Sequence, residues 1–209
     1  MPEPMLLIFE LIGTVSFAVS GAMTGLKKKM DLFGIAILGL ITAVGGGVIR
    51  DLTLGLTPPA TFRNPIYAIV ALCTAIVIFI PAVRRLIGRK QQLFDTVLLV
   101  MDSIGLGIFT VVGIQVAFSA SHDYPPFLLI FVGMITGIGG GVLRDILAGD
   151  TPYIFVRHFY ASASLIGAAV CLILWGWAGE SVAMISGATV ILILRLLAAR
   201  FRWSLPRAQ

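Results

Sequence analysis

Long uninterrupted apolar runs, separated by short polar loops, dominate the pattern along the chain. They fall at residues 5 to 26, 32 to 54, 66 to 87, 94 to 118, 126 to 148, 159 to 178 and 181 to 201. Each is near or above the roughly 18 to 20 residues that cross a bilayer as a helix, so the pattern predicts seven transmembrane helices. The leader before the first run, Met1 to Pro4, has no basic residue, and Lys27, Lys28 and Lys29 follow the run. That order is the reverse of a signal peptide, so the first run is expected to be a retained helix.

Composition agrees. Of 209 residues 58% are hydrophobic and 12% charged, with a mean hydropathy of +1.03. A soluble core of that composition would lack the polar residues to cover its surface. The formal net charge of +5 invites a nucleic-acid reading, but the placement of the charge argues against it. Alternating the loops across seven spans gathers Lys27, Lys28, Lys29, Arg84, Arg85, Arg89, Lys90, Arg157, Arg200, Arg202 and Arg207 on one face, against Arg63 on the other. By the positive-inside rule that face is cytoplasmic, with the N-terminus outside and the C-terminus inside a plasma (inner) membrane. Arg50, Arg144 and Arg195 remain within helices.

The chain also repeats itself. GGGVIRDLTLGLTP, from Gly45 to Pro58, returns as GGGVLRDILAGDTP, from Gly139 to Pro152, at an offset of 94 residues. Gly39 and Gly133, Thr42 and Thr136, and Arg63 and Arg157 match at the same offset. At an offset of 92, Gly13, Phe17, Val19 and Gly21 match Gly105, Phe109, Val111 and Gly113, and Glu10 matches Asp102. The expected organisation is a single membrane domain, with one repeat over residues 5 to 87, a second over 94 to 178 and an extra helix over 181 to 201. Three spans per repeat is an odd number, so the repeats insert in opposite directions. In such folds the midplane between the repeats is where binding and permeation sites are built.

The triplets Gly45, Gly46, Gly47 and Gly139, Gly140, Gly141 weaken their helices, since each glycine costs about 1 kcal/mol relative to alanine. They predict a functional kink or break, tolerated where freed backbone groups face protein or water. Gly21 with Gly25, and Gly133 with Gly137, are read instead as close-packing faces. Arg50 and Arg144 follow the triplets, and an arginine at the centre of a span costs about 2.5 to 3.5 kcal/mol. Each needs a partner. Asp51 and Asp145 are sequence neighbours, but adjacent side chains diverge on a helix, so the expected partners are Glu10 for Arg50 and Asp102 for Arg144. Two related polar clusters follow: Glu10, Arg50 and Asp51 toward one mouth, and Asp102, Arg144 and Asp145 toward the other.

Other features carry less. Trp175, Trp177 and Trp203 are expected in aromatic belts. Cys73 and Cys171, without CxxC spacing or clustered histidines, read as small buried residues rather than a disulfide or metal site. His122 and His158 stand alone in loops. The basic clusters suit anionic lipid head groups as well as topology. No metalloprotease, nucleophile-elbow, P-loop or dinucleotide motif is present, so neither an enzyme nor a cofactor is expected.

The seven spans, the inverted repeat, and GGGVIRD and GGGVLRD in the second and fifth spans together resemble the prokaryotic members of the trimeric intracellular cation channel (TRIC) family, whose domain also carries a glycine transporter label. The likeness runs from the first span to the last. It implies a homotrimer with a pore in each protomer that passes potassium and sodium. In it the six triplet glycines are pore-kink residues, and Arg50, Asp51, Arg144 and Asp145 are the polar residues of the motif. Arginine in a cation path fits where carboxylates such as Glu10 and Asp102 offset it, or where it keeps conductance low. The alternative is a secondary transporter of a small amino acid such as glycine.

Overall fold

A computed structural model describes residues 3–88, 90–156 and 159–203. Arg89, Arg157, His158 and Arg207 lie outside the described residues. Among the described residues the chain is all helical: α1 (Glu3–Lys27), α2 (Leu32–Thr53), α3 (Ala60–Arg63), α4 (Ile66–Phe79), α5 (Pro81–Gly88), α6 (Gln91–Ala120), α7 (Pro126–Leu147), α8 (Tyr153–Val156), α9 (Ala161–Ala178) and α10 (Glu180–Phe201).

Six helices are long and apolar enough to cross a membrane by themselves, and α4 with α5 makes a seventh as a bent pair. The span expected over residues 66 to 87 is not one continuous helix. It turns by 71° at Ile80, whose ψ of 130° is extended, because Pro81 disfavours a helical conformation in the residue before it. Straight, α4 is only 14 residues.

The repeat is visible in the packing. α1 lies on α2 and α4, α6 lies on α7 and α9, and α2 meets α7 between the halves, while α10 closes against α6 and α9. Outward-facing apolar residues such as Phe33, Phe127, Ile173 and Trp177 have the character expected of a lipid-facing surface. Cys171 is buried as expected, but Cys73 is exposed on this outer surface, because α4 turns that face away from its neighbours. Trp175, near the end of α9, stacks on Phe118 near the end of α6, with ring centroids 4.6 Å apart.

At the glycine triplets the structure corrects one part of the expectation, the break. α2 and α7 run as continuous helices through Gly45–Gly47 and Gly139–Gly141, so no half-helix begins in the membrane. Lost backbone hydrogen bonds in hydrocarbon cost more than glycine's weak helix propensity. The middle glycines instead permit contact. A Cβ on Gly46 would stand 2.1 Å from the Thr136 carbonyl oxygen, and one on Gly140 would stand 2.1 Å from that of Thr42. Thr42 and Thr136 turn their own hydroxyls back onto Leu38 and Val132, which keeps the contact face flat. Gly21, Gly25, Gly133 and Gly137 also sit in helix contacts that a Cβ would fill.

Both helices stop in the same way. Gly55 and Gly149 take left-handed φ values of 72° and 70°. The amides that follow, of Leu56 and Asp150, reach back to the carbonyls of Asp51 and Asp145 at 2.8 Å. This Schellman cap ends the helix and turns the chain into α3 or α8.

Candidate functional site

The charged residues after the triplets sit at the last turns of α2 and α7, at opposite ends of the molecule. Each arginine folds onto its neighbour: Arg50 Nε donates to Asp51 Oδ1 and Arg144 Nε donates to Asp145 Oδ1, both at 2.8 Å. The expectation that adjacent side chains diverge is corrected here. The arginine is long enough to double back, and the aspartate is fixed from its other side. Asp51 Oδ2 accepts the Ala60 amide at 2.7 Å, and Asp145 Oδ2 accepts the Tyr153 amide at 2.8 Å. The aspartates therefore tie arginine to the short helices α3 and α8. Asp51 is 2% exposed, which excludes a snorkelling interfacial role.

Beyond this shared frame the halves differ. In the second half Arg144 Nη1 donates to Asp102 Oδ1 at 2.6 Å and also to the Ser20 hydroxyl. Arg144 is 1% exposed and Asp102 fully buried. The Tyr153 ring covers the guanidinium, its centroid 4.9 Å away. The expected Asp102, Arg144 and Asp145 cluster is thus assembled. In the first half, Glu10 takes its hydrogen bond from the Tyr67 hydroxyl and shares a 220 Å³ cavity with Arg50, Asp51, Thr14, Arg63 and Tyr67. Glu10 and Arg50 face one cavity, but the ion pair expected between them is replaced by Tyr67 on Glu10 and Asp51 on Arg50.

A second cavity, of 750 Å³, opens near Lys27, Gln91, Asp95 and Arg202 and ends at Tyr153 and Arg195. Glu10 and Ser20 lie ten residues apart on α1, about 15 Å of helix, so one helix carries both polar clusters. Between them are the Phe17 and Phe109 rings, 5.4 Å apart, the buried side chains of Ala43 and Leu106 and the Gly46 and Gly140 crossing. A carboxylate-bearing cavity, an apolar layer and a buried ion-paired cluster thus follow one another through the molecule.

Sequence reasoning missed Tyr67, Ser20, Tyr160 and Arg195. Arg195 Nη2 lies 3.7 Å from Asp102 Oδ2, and its guanidinium covers the Tyr160 ring at 4.6 Å. An arginine within a span was signal enough for Arg195. The tyrosines were legible only through the repeat: Tyr67 follows Asp51 by 16 residues and Tyr160 follows Asp145 by 15, the loop of the second half being one residue shorter.

Comparison with known proteins places this arrangement. The family described as "Glycine transporter" matches residues 7–82 and 99–176, the two repeats. The UPF0126 inner membrane protein YadS of Escherichia coli (strain K12) is 36% identical over 200 residues, 94% of this chain and 93% of that protein. A UPF0126 membrane protein of Deinococcus radiodurans is 37% identical over 199 residues, 94% and 89% of the two chains. Among solved structures, a TRIC cation channel studied for its conductance is 42% identical, covering 97% of this chain and 96% of that one, with a TM-score of 0.83. The TRIC trimeric intracellular cation channel orthologue from Rhodobacter sphaeroides is 31% identical over 96% of this chain and 100% of its own, with a TM-score of 0.86. With both repeats matched in sequence and nearly the whole chain superimposable in space, this protein belongs to the glycine transporter domain family of membrane proteins and has the TRIC channel fold.

Proposed function

We propose that this protein is a cation channel of the inner membrane, not an enzyme, and that it passes potassium and sodium through a pore within each protomer of a homotrimer. The observation that carries the reading is the cavity beside Gly47, where Glu10 is held by a neutral phenol rather than by an arginine. A carboxylate so held is not tied up in an ion pair. Arg50, whose charge would repel one, is turned onto Asp51. The likeness to TRIC cation channels supports the ion class, and the trimeric name of the Rhodobacter sphaeroides orthologue supports the assembly.

In this reading Glu10, Arg50 and Asp51 form one mouth, and Asp102, Arg144 and Asp145 form the other. The glycine triplets act as bending points within continuous helices. The Lys27 end faces the cytoplasm, following the positive-inside rule, and its basic residues contact lipid head groups. The buried Asp102 cluster and the apolar layer correspond to a closed channel.

The family's glycine transporter description supports a second reading, a carrier for a small zwitterion. Glu10 and Arg50 would take its amine and carboxylate in the 220 Å³ cavity. Flux from proteoliposomes separates the two. The channel reading expects passive potassium and sodium flux under a gradient, faster than a carrier cycle and without glycine uptake. Saturable glycine exchange without ion current would overturn it.

A further inference from the structure

The halves hold their central carboxylates differently. In the first, the Tyr67 hydroxyl donates to Glu10, Arg50 rests on Asp51, and a cavity opens beside them. In the second, the corresponding tyrosine and carboxylate are not joined. The Tyr160 hydroxyl is buried without a hydrogen-bond partner, at a cost of about 1 to 3 kcal/mol, and Asp102 Oδ2 has no hydrogen bond, only the ion pair to Arg195 at 3.7 Å. Arg144 is instead spread over Asp102, Asp145 and Ser20.

Arg195 contacts both of these residues. It comes from α10, which stands outside the repeat, and so has no counterpart in the first half. Its guanidinium covers the Tyr160 ring at 4.6 Å and its Nη2 lies 3.7 Å from Asp102 Oδ2, the oxygen a Tyr67-like bond would use. Tyr160 meanwhile points its hydroxyl at Gly141, where a Cβ would be 2.9 Å away; the same position on Gly47 meets only Arg50, at 3.7 Å.

We propose that Arg195 is a positioning residue that keeps the second half sealed by holding Tyr160 away from Asp102. Opening requires the tyrosine-to-carboxylate bond that Tyr67 and Glu10 already make. When Tyr160 takes Asp102, Arg144 falls back onto Asp145 as Arg50 does onto Asp51, and the cavity that now ends at Tyr153 and Arg195 extends to Asp102. The inference rests on the channel reading.

The test is recording in planar bilayers, with thermal melting as the check on folding. Tyr160→Phe removes a hydroxyl that has no partner, so its melting temperature is expected to stay or rise. Its open probability is expected to fall about tenfold, the shift that follows from losing one buried hydrogen bond in the open state, with unitary conductance unaltered. Arg195→Gln is expected to raise open probability, and Arg195→Gln with Tyr160→Phe to return it to the level of Tyr160→Phe alone. A folded Tyr160→Phe channel that opens like the parent overturns the proposal, as does a folded Arg195→Gln channel that opens less. Should Arg195→Gln not fold, Tyr160→Phe still decides. A silent parent protein that instead exchanges glycine removes the channel reading, and this inference with it.

Discussion

Gly46 and Thr136 touch backbone to backbone: the Thr136 carbonyl oxygen occupies the place where a Cβ of Gly46 would begin, and Gly140 meets Thr42 in the same way. This reciprocal contact is the seam between the two halves. It makes the middle glycine of each triplet a packing residue, and it sets how closely the two polar clusters approach.

The seam predicts unequal sensitivity within one triplet. Gly46→Ala and Gly140→Ala each drive a methyl group into a backbone carbonyl, which no side-chain rotation relieves. Overpacking of this kind costs about 1 to 3 kcal/mol, occasionally more. Gly47→Ala meets nothing nearer than 3.7 Å and should melt at or above the parent temperature. Thermal melting of the purified proteins checks the order.

The carboxylates should differ in structural weight. Asp102 is fully buried and is the ion-pair partner of both Arg144 and Arg195. Removing one member of a buried pair costs about 3 to 5 kcal/mol, so Asp102→Asn should express poorly or melt well below the parent. Glu10 borders a cavity and accepts from Tyr67, a bond that a glutamine oxygen also accepts. Glu10→Gln should therefore fold normally and show its effect in cation flux, measured on proteoliposomes.

At the helix ends, Gly55→Ala and Gly149→Ala place a side chain at a left-handed φ, at a cost of roughly 1 to 2 kcal/mol. Neither position has an atom within 4 Å to obstruct a Cβ, so the loss comes from the backbone alone. Asparagine, which tolerates this conformation better, should recover part of it. Melting temperatures of the Ala and Asn variants give the comparison.

Orientation is open to a direct measurement. With Cys73 and Cys171 replaced by serine, cysteine introduced at Asn64 should react in intact cells with a membrane-impermeant thiol reagent. Cysteine at Gln92 should react only after permeabilisation. The reverse result places the Lys27 end outside and removes the charge-bias argument.

The sequence by itself determined the solvent, the number of crossings, the opposed repeats and the identity of most of the charged residues. These follow from run length, hydropathy and self-similarity, which are local or periodic properties. It also signalled that the glycine triplets matter, but assigned them to interruption, because helix propensity is read one chain at a time. Tertiary structure decided the rest. Gly46 is needed because another helix's carbonyl lies against it; Arg50 turns to its own neighbour because α3 pins that neighbour in place. Pro81 was visible as a residue, yet the direction in which α5 leaves depends on what α6 offers it. Above all, Glu10 and Asp102 occupy equivalent places in the repeat but live in different surroundings. Arg195 of α10 reaches only one of them, and a repeat read along the chain has no means of registering a helix that packs against one half alone.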